Sequence, residues 1–221
     1  MNKETITALV PIRANSQRVK DKGIRPFVDS TLLEVKISSL LKTKVDSIVV
    51  TSDCEKILQI ARACGVKTHK REEYYASSEC SGSEFFENLA STLEGENFLY
   101  SPPTAPFIKP STIDRAIDTF FCMKENKDSL ASVFPLKHHM WLDNTPLNYK
   151  LEQSPNSQDL PDIFKITYGI NLISKKNMIK YSNVVGKNPE FLVLEEVEAV
   201  DVDTMVDFWF AEFLYRKMNN V

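Results

Sequence analysis

Two stretches at opposite ends of the chain hold the residues best suited to chemistry. The first is Arg13, Arg18, Lys20, Lys22 and Arg25, set against the single acid Asp21, directly after the apolar run 6–12. In open α/β sheets, ligands gather beyond the carboxyl ends of strands, where backbone N–H groups and cations converge. A strand that feeds a cation-rich loop is such a setting, and a triphosphate suits it. The second stretch is Val200-Asp201-Val202-Asp203-Thr204. On an extended chain the alternation points Asp201 and Asp203 to one side, and two carboxylates on one side call for a cation between them. Magnesium takes oxygen ligands and is commonly held by one or two carboxylates plus substrate phosphates. Thr204 with Asp207 three residues on also has the form of a helix capping box. Both roles are compatible: Thr204 caps while Asp203 faces the metal.

The elements that must position these groups alternate in type. Residues 5–12 read as an apolar central strand, 32–41 as a helix capped by Ser30 or Thr31 with Glu34, and 47–51 as a buried strand ending at Ser52 and Asp53. A helix over 55–64 stops at Gly65, and a third short strand covers 66–69. This rhythm predicts right-handed crossovers and a parallel sheet. Further on come a helix over 84–93 and a strand over 98–101, then the rigid loop Pro102-Pro103-Thr104-Ala105-Pro106. Ser111 with Asp114 opens the next helix, strands follow over 130–134, 169–173 and 191–194, and a last helix starts at about Thr204. Glu195, Glu196 and Glu198 read as a solvated acidic run. Residues 138–164 break the rhythm, with prolines, Asn and Gln and no clear period. Such a stretch in a compact domain is usually functional or an interaction element. Its Met140, Trp141, Leu142, Leu147 and Tyr149 suggest an interface.

Composition excludes several classes. The chain has 221 residues, 43% hydrophobic and 26% charged, which fits one domain with a sizeable core. A net charge of −3 argues against a nucleic-acid binder, since the cations are local and not global. No apolar run reaches the length of a membrane span, and the run 6–12 is too short for a signal peptide. Cys54, Cys64, Cys80 and Cys122 form no Cys-x-x-Cys motif and read as reduced thiols of a cytoplasmic protein. Neither a Gly-x-Gly-x-x-Gly nor a Walker A sequence is present, so dehydrogenases and P-loop NTPases are poor candidates.

The first loop resembles the CTP-binding signature of the CMP-sialic acid synthetase family (acylneuraminate cytidylyltransferases), Ala-Arg-x-x-Ser-Lys-x-x-x-x-Lys-Asn. Arg13, Ser16 and Lys22 match; Gln17 replaces a Lys, Gly23 replaces an Asn, and Arg18 stands in for the charge lost at Gln17. Arg71 before Ala76-Ser77 resembles the family's Arg before an Ala-Ser pair. The Pro103-Thr104-x-Pro106 loop resembles Gln-Pro-Thr-Ser-Pro-Leu-Arg, with Pro102 and Ile108 replacing the Gln and Arg. His138-His139 match a His pair seen there. Phe164-Lys165-Ile166-Thr167-Tyr168-Gly169 stands where the family has Phe-Arg-x-Asn-Gly, and Asp201-Val202-Asp203-Thr204-x-x-Asp207 matches Asp-Ile-Asp-Thr-x-x-Asp.

The resemblance spans nearly the whole chain. It implies an α/β, three-layer Rossmann-like nucleotide-diphosphosugar transferase fold, with a mostly parallel sheet of about seven strands. It implies one cytidylyltransferase domain over 1–221, carrying a protruding dimerisation segment at 138–165. The implied reaction is transfer of CMP from CTP to the anomeric hydroxyl of a sialic-type acid, with Mg²⁺ as cofactor and a homodimer as the assembly. Catalysis falls to Lys22, Arg13 and Asp203, and the metal to Asp201 and Asp203. The nucleotide is expected on Arg13, Asn15, Ser16, Arg18, Lys22, Arg71 and Ser81, and the sugar on Pro103, Thr104, His139, Lys165 and Tyr168. The departures from the family pattern suggest a more apolar acceptor pocket, suited to a deoxygenated or N-acylated acid whose carboxylate meets Lys165 or charged His139. Two other readings are a same-fold enzyme with a phosphorylated acceptor and a catalytically inactive binding homologue. The absence of a Gly-x-Gly-x-Arg loop speaks against the first, and the retained Asp pair and Lys22 against the second.

Overall fold

The structure, a computed structural model, describes residues 5–14 and 16–220. Seven strands form the central sheet: β1 (Ile6–Pro11), β2 (Ser47–Ser52), β3 (Lys67–Lys70), β4 (Asn97–Tyr100), β5 (Ser129–Leu136), β6 (Ile163–Ser174) and β7 (Pro189–Val193). Their spatial order is β7-β5-β6-β4-β1-β2-β3. The pairs β1–β2, β1–β4, β2–β3 and β5–β7 are parallel, and β6 alone runs antiparallel to both its neighbours. The apolar first strand is central, as its composition predicts, because only a strand covered on both faces needs apolar side chains on both.

Alternation along β1 sorts the helices into two layers. Ala8 and Val10 face one core shared with α1 (Leu32–Leu40), α2 (Glu55–Ala63) and α4 (Pro110–Cys122). Leu9 faces the other core, with Leu89 and Ala90 of α3 (Gly82–Thr92) and Met178 of α5 (Lys175–Tyr181). A third cluster docks α6 (Met205–Asn219) through Phe208 and Ala211 onto Val19, Phe27, Leu32 and Val202. That cluster ties the first loop to the segment that leads into α6, so the two chemistry-bearing stretches meet.

Local signals explain most boundaries. Thr31 caps α1, its hydroxyl accepting from Glu34 N. Gly65 follows α2 at φ 77°, where glycine avoids the strain of a side chain. Thr204 and Asp207 form the expected capping box of α6.

Several expectations fail. Ser111 does not cap α4; Lys109 holds the cap position with Pro110 behind it, and Asp114 instead accepts the Lys44 N–H. Glu198 is not solvated but buried, accepting the Lys109 N–H. Of the segment expected at 138–165, residues 163–165 belong to β6, so the irregular part ends before the sheet resumes. That part carries a small hairpin, Trp141–Leu142 against Thr145–Pro146, whose Trp141, Leu142 and Leu147 are exposed. No helix among the described residues is long and apolar enough to cross a membrane.

Candidate active site

A cleft of about 760 Å³ opens beyond the carboxyl ends of β1, β3 and β4, a volume within the usual range of ligand pockets. One side of it is the first loop. Arg13, Ser16, Gln17, Arg18, Lys22 and Gly23 line it. The loop is anchored where it leaves β1: Ile12 N donates to Thr51 O, and Ala14 N donates to the Asp53 carboxylate at 3.1 Å. Asn15, expected to touch the nucleotide, lies outside the described residues. Gly23 has a steric reason to depart from asparagine, because a Cβ there would sit 2.0 Å from Ile12 Cδ1.

The acidic pair closes the cleft from the other chain end. Asp201 and Asp203 both line it, while Val202 between them is fully buried in the α6 cluster. The alternation does what the sequence suggests. Lys22 Nζ donates to the Val202 carbonyl at 2.7 Å and reaches Asp203 Oδ1 at 3.3 Å; Arg18 Nη2 reaches the same oxygen at 2.9 Å. Asp201 is the more enclosed acid. Burial raises its pKa and the Asp203 charge adds to this, while a hydrogen bond from Thr104 and the charges of Lys22 and Lys165 oppose the shift.

Arg71 forms the back wall. It is buried, its Nη2 donates to the Ile12 carbonyl at 2.7 Å, and its guanidinium lies over the Phe85 ring at 5.0 Å. Its Nε has no partner among the described residues, although buried donors are normally satisfied. Burial lowers its pKa from the usual arginine value. Ser81 also lines the cleft and caps α3 in a capping box with Glu84.

The opposite side is built on a break in the sheet. Ile166 pairs with Val133 and Asn171 with Ala131, so residues 167–170 stand opposite Ser132 alone. Within this bulge Tyr168 takes φ 56°, uncommon for a residue with a side chain. Lys165, Ile166, Thr167 and Tyr168 face the cleft opposite Pro102, Pro103 and Thr104. Two expectations are corrected here. His139 does not reach this cleft: it is exposed in the hairpin region, with Nε2 3.0 Å from the Pro155 carbonyl and its ring edge-on to Tyr149. Ile108 makes no pocket wall; it is core, and a Cβ on Gly169 would lie 2.5 Å from its Cδ1.

Residues that sequence reasoning missed include Tyr75, Cys80, Phe85 and Tyr100, all lining the cleft. Tyr100 ends β4 and so stands at a strand's carboxyl end, which was a usable signal. Its phenol is buried, and burial raises its pKa.

Among the described residues no group of three or more His, Cys, Asp or Glu could hold a metal. Asp201 and Asp203 nevertheless fit a magnesium ion that takes its remaining oxygens from phosphates and water.

A parallel-core sheet, a cationic loop after its first central strand and an acidic pair across the cleft define a nucleotide-binding α/β protein. The family model described as Cytidylyltransferase matches residues 7–160, and the chain belongs to that family. The chain is 24% identical to a pseudaminic acid cytidylyltransferase of Campylobacter jejuni, over 94% of this chain and 95% of the relative. It is 25% identical to a CMP-N,N′-diacetyllegionaminic acid synthase of Legionella pneumophila, over 95% of each. The solved CMP:2-keto-3-deoxy-manno-octonic acid synthetase complexed with CTP shares the fold, with a TM-score of 0.71 at 13% identity over 97% of this chain and all of that one.

Proposed function

We propose that the protein transfers CMP from CTP to the anomeric hydroxyl of a sialic-type acid, a nonulosonic or other 3-deoxy-2-ulosonic acid. The observation that carries this reading is one cleft joining Arg13, Arg18 and Lys22, the Asp201–Asp203 pair and the Lys165–Tyr168 wall. Relatives named for pseudaminic and legionaminic acids support the acceptor class.

In this reading Arg13, Ser16, Arg18 and Lys22 hold the triphosphate, and Arg71 and Ser81 border the nucleoside. The acceptor hydroxyl oxygen attacks the α-phosphorus in line. The bond from that phosphorus to the bridging oxygen breaks, and pyrophosphate leaves. Such a step needs positioning and charge neutralisation more than covalent help. Magnesium on Asp201 and Asp203 would neutralise phosphate charge and favour loss of the hydroxyl proton. Arg18 and Lys22, which neutralise Asp203 in the structure, would turn toward the phosphates. Lys165 meets the acceptor carboxylate, because a charge entering a partly closed site needs a counter-charge.

The apolar wall of Pro102, Pro103, Ile166 and Tyr168 favours an acid that is deoxygenated or N-acylated in preference to plain N-acetylneuraminic acid, a preference that fails if that acid proves the best of a broad panel. The test is pyrophosphate release from CTP and magnesium with a panel of ulosonic acids, including N-acetylneuraminic acid and a neutral sugar without the carboxylate. Release confined to acids supports the reading; equal use of the neutral sugar, or no release with any acid, overturns it.

The exposed hairpin supports a homodimer with Trp141, 51% exposed, near the contact. A monomer at micromolar concentration by sedimentation would refute that assembly.

A further inference from the structure

Lys36 is a lysine that the chemistry above does not use and that the fold has enclosed. It sits on the inner stripe of α1 with Leu32, Leu33, Ile37 and Leu40, and is 1% exposed. Among the described residues no ion pair reaches it. Its one direct partner among the described residues is a hydroxyl: Nζ donates to Ser101 Oγ at 3.1 Å, and Ser101 Oγ donates to the Gly169 carbonyl at 2.9 Å. Burial lowers its pKa to about 7, with the Asp201 charge opposing. An enclosed amine with one neutral partner is costly to keep. A leucine or methionine would fill the same stripe without that cost, so the ammonium invites a functional account.

The account lies at the far end of the hydrogen-bond chain. Residues 167–170 have lost their ladder partners at the bulge and depend on hydroxyls instead. Ile170 N donates to Ser132 Oγ at 2.9 Å, Thr167 Oγ1 lies 2.6 Å from that same oxygen, and Ser101 takes the Gly169 carbonyl. Ser101 is itself fixed, its N–H donating to the Leu9 carbonyl. The Gly169 carbonyl can only accept, so the Ser101 proton goes to it, and Lys36 Nζ donates to a Ser101 lone pair and fixes the hydroxyl in that direction. Gly169 follows Tyr168, the left-handed residue of the acceptor wall.

We propose that Lys36 is a positioning residue for the acceptor half of the cleft, orienting Ser101 so that it holds the Gly169 carbonyl and with it the Lys165–Tyr168 wall. This rests on the reading of that wall as the acceptor side. Three variants test it: Lys36→Met, Ser101→Ala and the double variant. In ligand-free protein, amide exchange at residues 167–170 should quicken by about two- to tenfold in each single variant, the effect of losing one hydrogen bond. The double variant should show no further increase. Lys36→Met should keep or raise the Tm, because an enclosed amine is removed while its stem is replaced. The CTP Kd by calorimetry should stay within about twofold, and the KM for the best acid of the panel should rise several-fold at saturating CTP.

Unchanged exchange at 167–170 in both single variants overturns the proposal. So does a uniform quickening across the sheet with a lowered Tm, which marks a purely structural lysine. If Lys36→Met does not fold, Ser101→Ala with the same exchange and KM readouts decides. If no acid is turned over, the proposed reaction fails, while the exchange data still decide the part played by Lys36.

Discussion

Gln17 Nε2 donates to Ser78 Oγ at 2.7 Å, joining the first loop to the loop that precedes α3 across the mouth of the cleft. The two residues are 61 positions apart and both belong to exposed turns. The bond therefore acts as a light latch across that mouth. Gln17→Ala should weaken CTP binding by about two- to tenfold, the scale of one exposed hydrogen bond, with the Tm unchanged. Calorimetry with CTP checks this, and unaltered affinity would show the latch to be incidental.

Asp201 and Asp203 should respond differently to the same change. Asp201→Asn removes a carboxylate whose ionisation burial disfavours. The ligand-free Tm should hold or rise. Asp203→Asn alters an acid whose side chain is 43% exposed and paired with Arg18 and Lys22, so the Tm should move little. Both should lower turnover on the order of a hundredfold or more, the loss seen when one electrostatic stabiliser goes. Near-normal turnover at saturating magnesium in either variant would count against a metal role for that residue.

Lys22→Ala removes a point charge that Arg13 and Arg18 cannot replace in geometry. CTP affinity should fall. The ligand-free Tm should drop only slightly, because the Val202 carbonyl that Lys22 holds is next to well-capped α6. A large Tm loss with unchanged CTP affinity would reveal a structural lysine.

Acid should loosen the rim near Ser81. Hydrogen bonds from the Ser81 hydroxyl and N–H and from the Tyr74 hydroxyl lower the Glu84 pKa from 4.5 to about 2. A folded-state pKa below the unfolded value gives stability that is present above the unfolded value and fades as pH falls toward about 2. Amide exchange at the start of α3 should quicken across that window. Glu84→Gln should flatten the dependence; an unchanged profile in that variant would assign it to other carboxylates.

What could be read from the sequence was local or anchored. The Thr204–Asp207 box is an i, i+3 relation, and the Asp201–Asp203 alternation needs only an extended chain, so both were legible. Ser111 misled because Pro110 takes the first helical position and moves the boundary back to Lys109. His139 misled because a residue type was carried over without the fold of its hairpin. The start of β6 was hidden by its bulge, where four residues oppose one and the period-two signal is lost. Lys36 was legible in principle, lying four residues from both Leu32 and Leu40 on one helix face, but a lysine on a stripe is ordinarily taken as an edge residue that reaches water.

The ion pairs of Asp203 join residues 185 and 181 positions apart. Contacts of such separation form only after most loop-closure entropy has been overcome. During synthesis the cationic loop leaves the ribosome well before its acidic counterpart, which follows 181 positions after Lys22. Through that interval the loop is free to meet other polyanions, the ribosomal RNA among them. Nascent chains stalled before Val200 should therefore crosslink to RNA through the first loop, and chains stalled after α6 has emerged should not.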